Sequence, residues 1–293
     1  MTLTTARNQA TTRVQLWTGV KFGLLLVALA GVLYILSEAY PVGVDWQLTF
    51  GRLWHHWDNP YTIRGLYNPG WIMLYLPHSL LPLQWGNAIN LLLNVSVPGA
   101  VIYKYWHKDG PRVVIPLWVM LYTFPPFLDL VRTNNIEWVP LLALLLPDSW
   151  LIATLAVKPQ SIGGAALIRW KTRGFDWRLL LPTVSLFIAS IVLWGLWFTR
   201  LDFAVAEGAW AVANFSPFPY FVPLGVWMLW KAWQTDNEVL AGTATPLLVP
   251  YFAGYGIFPV LVLIATKYRR EAFYLWVGLW LYFVIEGKRA GML

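Results

Sequence analysis

Between Pro41 and Pro69 the chain reads PVGVDWQLTFGRLWHHWDNPYTIRGLYNP, which sets Asp45, Arg52, His55, His56, Asp58 and Arg64 among tryptophans and tyrosines, directly after an apolar run. Ionisable groups at the mouth of a membrane segment are costly unless they are solvated, paired or put to use. A carboxylate in such a place can take the proton of a hydroxyl, and guanidinium groups beside it can hold a phosphate. Lys158 is a second group of this kind: it lies midway along another apolar stretch, is followed by Pro159, and requires an anion nearby. Arg132 adds a further cation after a third apolar run.

The scaffold that must position these groups is greasy. Of 293 residues 58% are hydrophobic and 12% charged, with mean hydropathy +0.55, whereas about 25% charged is usual in a soluble domain. Apolar runs of about 15 to 23 residues recur along the chain, which implies helices rather than short alternating barrel strands. The expectation is an all-α integral membrane protein, a polytopic helical bundle of roughly nine to eleven membrane helices in one domain, 1–293. The absence of cysteine excludes disulfides and thiolate metal sites. A net charge of +7 comes from short loops and fits the positive-inside pattern, so no nucleic-acid partner is expected. The 20 tryptophans fall largely at run ends, where amphipathic rings suit the headgroup layer.

In chain order, a polar, basic tail with Arg7, Arg13 and Lys21 precedes the first span, about 20–36, and has no small-residue cleavage site. The N-terminus is therefore expected in the cytoplasm and the Asp45 loop outside, in the inner membrane of a prokaryote. Trp46, Phe50, Leu53, Trp54 and Trp57 have the spacing of an interfacial helix, with Asp45 near its N-cap. Residues 70–83 are either a short span or a segment that dips and returns. Further apolar spans are expected at 87–106 (broken at Pro98-Gly99), 113–128, 134–146, 150–170 (interrupted at Lys158), 179–198, 220–233 and 272–285. A second interfacial segment is expected at 201–216, and two half-length pieces meet at Pro250-Tyr251. His55 and His56 are adjacent, so their side chains diverge on a helix and no metal site is expected.

No Walker loop, dinucleotide fingerprint, nucleophile elbow or zincin motif is present. The chemistry that the remaining groups suit is transfer of a sugar from a lipid phosphate. It needs a base (Asp45), cations for the leaving phosphate (Lys158, Arg132, and Arg52 or Arg64) and an apolar groove for the lipid. The bland readings are a helix-capping Asp45 and a snorkelling Lys158.

The linear order also resembles a family. Asp45 after the first span, Asn59-Pro60-Tyr61, Tyr67-Asn68-Pro69, Leu80-Leu81-Pro82-Leu83, Arg132-Thr133-Asn134-Asn135, Lys158-Pro159-Gln160 and Pro250-Tyr251 are similar, in order, to the polyprenol-phosphate-dependent glycosyltransferases of the GT-C superfold. The family 87, mannosyltransferase-like group is the nearest in pattern. The resemblance implies an inverting transferase, with Asp45 as general base and without an obligatory metal or other cofactor. It places Lys158 and Arg132 on the donor phosphate and Tyr61, Tyr67, Asn134 and Tyr251 among the substrate-binding residues. The implied partners are a polyprenyl-phosphate sugar and membrane lipids. Thr133-Asn134 replaces the family's glycine-glutamine pair and the chain is short for the group, so a degenerate, non-catalytic relative is the first alternative. In that case the protein is a structural subunit of a larger membrane complex; a lipid or solute transporter is the third reading. The transferase requires a lipid-accessible hollow joining Asp45 to Lys158 or Arg132.

Overall fold

The computed structural model describes residues 21, 24–63, 66–200 and 214–289. The chain is all-helical, with 77% helix and no strands among the described residues; the one β-bridge pairs Asn214 with Ala253. Among the described residues one helix, Leu83–Asp109, is long and apolar enough to cross a membrane, and up to three spans result if each of two sharply bent helix pairs is one span. Two of the expected spans, 113–128 and 150–170, are divided at a proline, Pro125 and Pro159 respectively.

Helix α1, Leu24–Ala39, meets the stretch Val44–His56 at 83°. The expected interfacial helix there is two pieces, α2 (Val44–Leu48) and a 3-10 turn, Phe50–His56. Its apolar stripe faces protein: Trp46, Phe50 and Leu53 are buried, while Trp57 is exposed. Residues 70–83 settle into two 3-10 turns, Gly70–Tyr75 and Pro77–Leu80. At about 2 Å per residue neither approaches the roughly 30 Å of a bilayer core.

Helix α3 (Leu83–Trp106) runs through Pro98, where a break was expected. Side chains of the next helix, α4 (Pro111–Tyr122), satisfy carbonyls around the proline: Trp118 Nε1 donates to Gly99 O at 3.1 Å and Tyr122 Oη to Val95 O at 2.7 Å. The expected span 113–128 instead ends at Tyr122, and α5 (Pro125–Thr133) leaves at 60°. Phe124, preceding a proline, is extended (φ −72°, ψ 127°), as a residue before proline prefers.

After α6 (Trp138–Leu142), the segment 150–170 is three pieces: α7 (Asp148–Leu155), α8 (Pro159–Ile162) and α9 (Gly164–Thr172). The break is at Lys158, as the Lys-Pro pair predicts. Helices α10 (Leu181–Trp194), α11 (Val222–Thr235), α12 (Glu238–Leu248), α13 (Ile257–Ala265) and α14 (Arg269–Arg289) complete the order. The second interfacial segment, 201–216, lies outside the described residues except for its last three. Gly164 lets α9 touch α12: a Cβ there would sit 2.3 Å from Ala241 O, and its N–H donates to Thr245 Oγ1 at 2.9 Å. One main cluster of buried apolar side chains draws on residues from Trp46 to Ala272.

Candidate functional site

Asp45 is held by the backbone around it. Gly43, the N-cap of α2, donates its N–H to Asn87 Oδ1 at 3.0 Å, and a Cβ at position 43 would lie 2.4 Å from Asn134 Cβ. Only glycine lets this loop pass so close to the end of α5. That helix ends on Asn134 in the left-handed conformation (φ 51°), which asparagine tolerates better than most residues. The chain reverses there and turns Asn135 toward Asp45.

Asn135 is the hub. Its Nδ2 donates to Asp45 Oδ2 at 2.8 Å and to the Tyr255 hydroxyl at 2.9 Å. Its Oδ1 accepts from the Ile136 N–H and from Lys158 Nζ, both at 2.7 Å. The amide orientation follows from this network, because a backbone N–H and an ammonium both demand an oxygen. Lys158 also pairs with Glu137, whose second oxygen accepts from Ser161 Oγ at 3.1 Å. The Tyr255 ring lies 5.2 Å from the ammonium. Glu137 is completely buried and Lys158 nearly so. The anion that Lys158 needs is thus supplied by the protein, and the line from Asp45 to Lys158 is bridged by Asn135 rather than left as a hollow, so the hollow that a transferase requires has only the Arg132 side of Asp45 left to it.

Asn134 belongs to a second network. It is fully buried, donating from Nδ2 to Asn87 O and Oδ1 at 2.8 and 2.7 Å and accepting at Oδ1 from Asn90 and Asn94. Asn90 Oδ1 in turn accepts from Trp138 Nε1 at 2.8 Å. Asn87, Asn90 and Asn94 share one face of α3, spaced i, i+3, i+7, and bind the α5–α6 turn to it. That spacing is the signal by which sequence alone could have found these residues; for Glu137 the signal is its place three positions after Asn134 in a polar run.

The remaining candidates spread out. Arg132 is exposed and pairs with Asp129 at 2.8 Å. Its hydrogen bond to that carboxylate raises the guanidinium above its ordinary pKa, and Asp45 adds to the effect, which places Arg132 within the field of the Asp45 rim. Tyr251 is half-buried; burial first, then Asp45, raises its phenol. Arg52 and Tyr67 are exposed, and Arg64 lies outside the described residues. Tyr61 closes its own loop: its hydroxyl accepts from the Gly70 N–H at 2.7 Å and its ring stacks on Trp197 at 5.2 Å. Asn68, of the Tyr67-Asn68-Pro69 motif, donates to Val157 O at 2.7 Å and so ties the 41–69 stretch to the break before Lys158. Among the described residues no three His, Cys, Asp or Glu side chains gather for a metal ion.

Beyond Lys158, an apolar cleft of about 360 Å³ lies between α8, α9, α11 and α12, lined by Gln160, Gly163, Gly164, Thr245, Leu248 and Val249 among others. The arrangement orients one half-buried carboxylate and links it through Asn135 to a buried ion pair, with the exposed Arg132 within reach of the carboxylate's charge. No family model, no curated protein and no solved structure matches the chain.

Proposed function

We propose that this chain is a polytopic membrane transferase that moves a hexose, of which mannose is the first candidate, from a polyprenyl phosphate to an acceptor hydroxyl on the non-cytoplasmic face. The support for a membrane setting is the exposed apolar surface: Leu24, Val27, Val192, Tyr220, Trp227 and Tyr274 are each more than half exposed. In water, an apolar surface this extensive would drive association.

In the proposed reaction Asp45 takes the proton of the acceptor hydroxyl as its oxygen attacks the anomeric carbon. The bond from that carbon to the phosphate oxygen breaks, the electron pair leaves with the polyprenyl phosphate, and the anomeric centre inverts. Arg132 holds the departing phosphate. The observation that carries this reading is the Asn135-to-Asp45 hydrogen bond at 2.8 Å, which fixes a half-buried carboxylate whose charge the exposed Arg132 feels. A general base must be fixed before its pKa matters.

Purified protein in lipid nanodiscs, given labelled polyprenyl-phosphate hexoses and hydroxyl acceptors, should transfer label, and Asp45→Asn should abolish transfer while leaving the fold intact. Transfer that survives Asp45→Asn removes Asp45 as base. The second reading, a non-catalytic subunit of a larger membrane assembly, is favoured by the internal neutralisation of Lys158 by Glu137. It predicts no transfer from any carrier and stable co-purification with other membrane proteins.

A further inference from the structure

We infer that Glu137 and Lys158 are positioning residues that lock the amide of Asn135 and, through it, the carboxylate of Asp45; the inference rests on Asp45 being the base of the proposed transferase. A primary amide has two orientations that differ by exchange of its oxygen and nitrogen. One presents NH₂ to Asp45; the other presents an oxygen and repels it. Two donors on Oδ1, Lys158 Nζ and the Ile136 N–H, select the first orientation. The Ile136 N–H is neutral, whereas the ammonium makes the stronger, charge-assisted bond.

An ammonium this deeply buried is costly unless an anion lies beside it. Glu137 is that anion, itself fixed by Ser161. The charged groups of the neighbourhood fall in two layers: Lys158 and Glu137 beneath Asn135, and Asp45, Arg132 and Asp129 at the rim. The Lys158 ammonium is already committed to Glu137 and Asn135, with the Tyr255 ring beside it, so it is not available to grip a substrate phosphate. The resemblance assigns that grip to Lys158; the geometry points to orientation of the base instead.

The experiment uses the full chain in nanodiscs with a labelled polyprenyl-phosphate hexose. It compares the parent with Lys158→Met/Glu137→Gln, which removes both buried charges together. Two quantities are read: kcat against KM for the carrier, and the Asn135 side-chain NH₂ resonance in ¹⁵N-asparagine-labelled protein, assigned by its loss in Asn135→Leu. A misaimed base should lower kcat by roughly 10²-fold with KM unchanged, the size expected when a reacting group is misplaced by about 1 Å. The NH₂ resonance should shift in the same variant. A raised KM with kcat preserved would make Lys158 a phosphate ligand and overturn the inference, as would an unmoved NH₂ resonance.

Should the double variant not fold, Ser161→Ala loosens only Glu137 and should lower kcat, with KM again unchanged; parental kcat overturns the inference. If the parent transfers no label from any carrier, the transferase reading fails. The NH₂ shift on neutralising the pair then decides by itself whether Asn135 is held from below.

Discussion

Two charge clusters cross-link the helices of this molecule, and they are built on opposite principles. Around Asp45, one buried ammonium and one buried carboxylate are cushioned by an asparagine amide, a serine and an aromatic face. Around Arg169, three cations meet three anions with water in reach. Arg169 forks onto Glu238 with two bonds of 2.7 Å and reaches Asp148 at 2.5 Å, Arg173 also pairs with Asp148, and Lys171 pairs with Asp236 at 2.7 Å. The second cluster ties α9 to α7 and to the α11–α12 turn and leaves each side chain partly exposed. A clamp needs only redundancy. A hydrophobic replacement of a buried pair is often as stable, so holding helices together does not by itself explain why these charges are kept dry, and the proposed orientation of Asp45 supplies a reason.

The largest effect should come from splitting the buried pair. Lys158→Met leaves Glu137 buried without its cation and should cost about 3–5 kcal/mol, whereas Lys158→Met/Glu137→Gln should recover most of that loss. Unfolding in detergent, followed by tryptophan fluorescence, measures both. A double variant no more stable than the single one would mean that the pair does not act as a unit.

Next in size is the asparagine turn. Asn134→Gly keeps the left-handed backbone but strands the amide partners on Asn87 and Asn90, at about 1–3 kcal/mol for each group left unsatisfied. Asn134→Ala adds a backbone penalty of about 1–2 kcal/mol, because a Cβ is disfavoured at φ 51°. Equal losses for the two variants would show that the backbone contributes nothing and the amide everything.

How much of this is legible in the sequence follows from the same residues. The Lys158 break is legible because a proline directly after a charged residue in an apolar run cannot continue the helical hydrogen-bond ladder, and the structure divides the segment there. Asp45 stands out in the sequence as a carboxylate just after an apolar run. Its true partner does not, since Asn135 comes 90 positions later and only the reversal at Asn134 brings it back. The expected count of spans rests on hydropathy, which does not register that Pro125 turns α5 by 60° or that residues 70–80 wind into 3-10 turns. Asn134 reads as a substrate ligand from its motif, but hydrogen-bond valence decides its position: both ends of its amide are occupied by α3. Arg169, Lys171 and Arg173 yield only their sign from the sequence, and the acids that neutralise them, Asp148, Asp236 and Glu238, come from far before and after them in the chain.

A smaller effect tests the clamp. Arg169→Lys keeps the charge but loses the two-pronged bond to Glu238, and should cost about 1 kcal/mol. That gap should shrink between low salt and 1 M salt, where the Debye length falls to about 3 Å. The cost of Lys158→Met should not change over the same range, because its charges are shielded from the solution. A salt response of equal size at both clusters would erase the contrast drawn between them.

The smallest stability effect is the most informative about function. Arg132 is exposed and its pairing with Asp129 is an i,i+3 surface contact, so Arg132→Ala should change stability by no more than about 0.5 kcal/mol. If Arg132 holds the leaving phosphate, the same variant should lose transfer by roughly 10- to 100-fold, with KM for the carrier raised, since a charge-assisted bond to phosphate is worth about 1.5–3 kcal/mol. The direction of that split separates the residue from those beneath it. Neutralising Lys158 and Glu137 together should lower kcat and spare KM, whereas removing Arg132 should raise KM without unsettling the fold. Arg132→Ala with parental KM would move the phosphate away from the Asp45 rim, leaving Asp45 a carboxylate without a leaving group to serve.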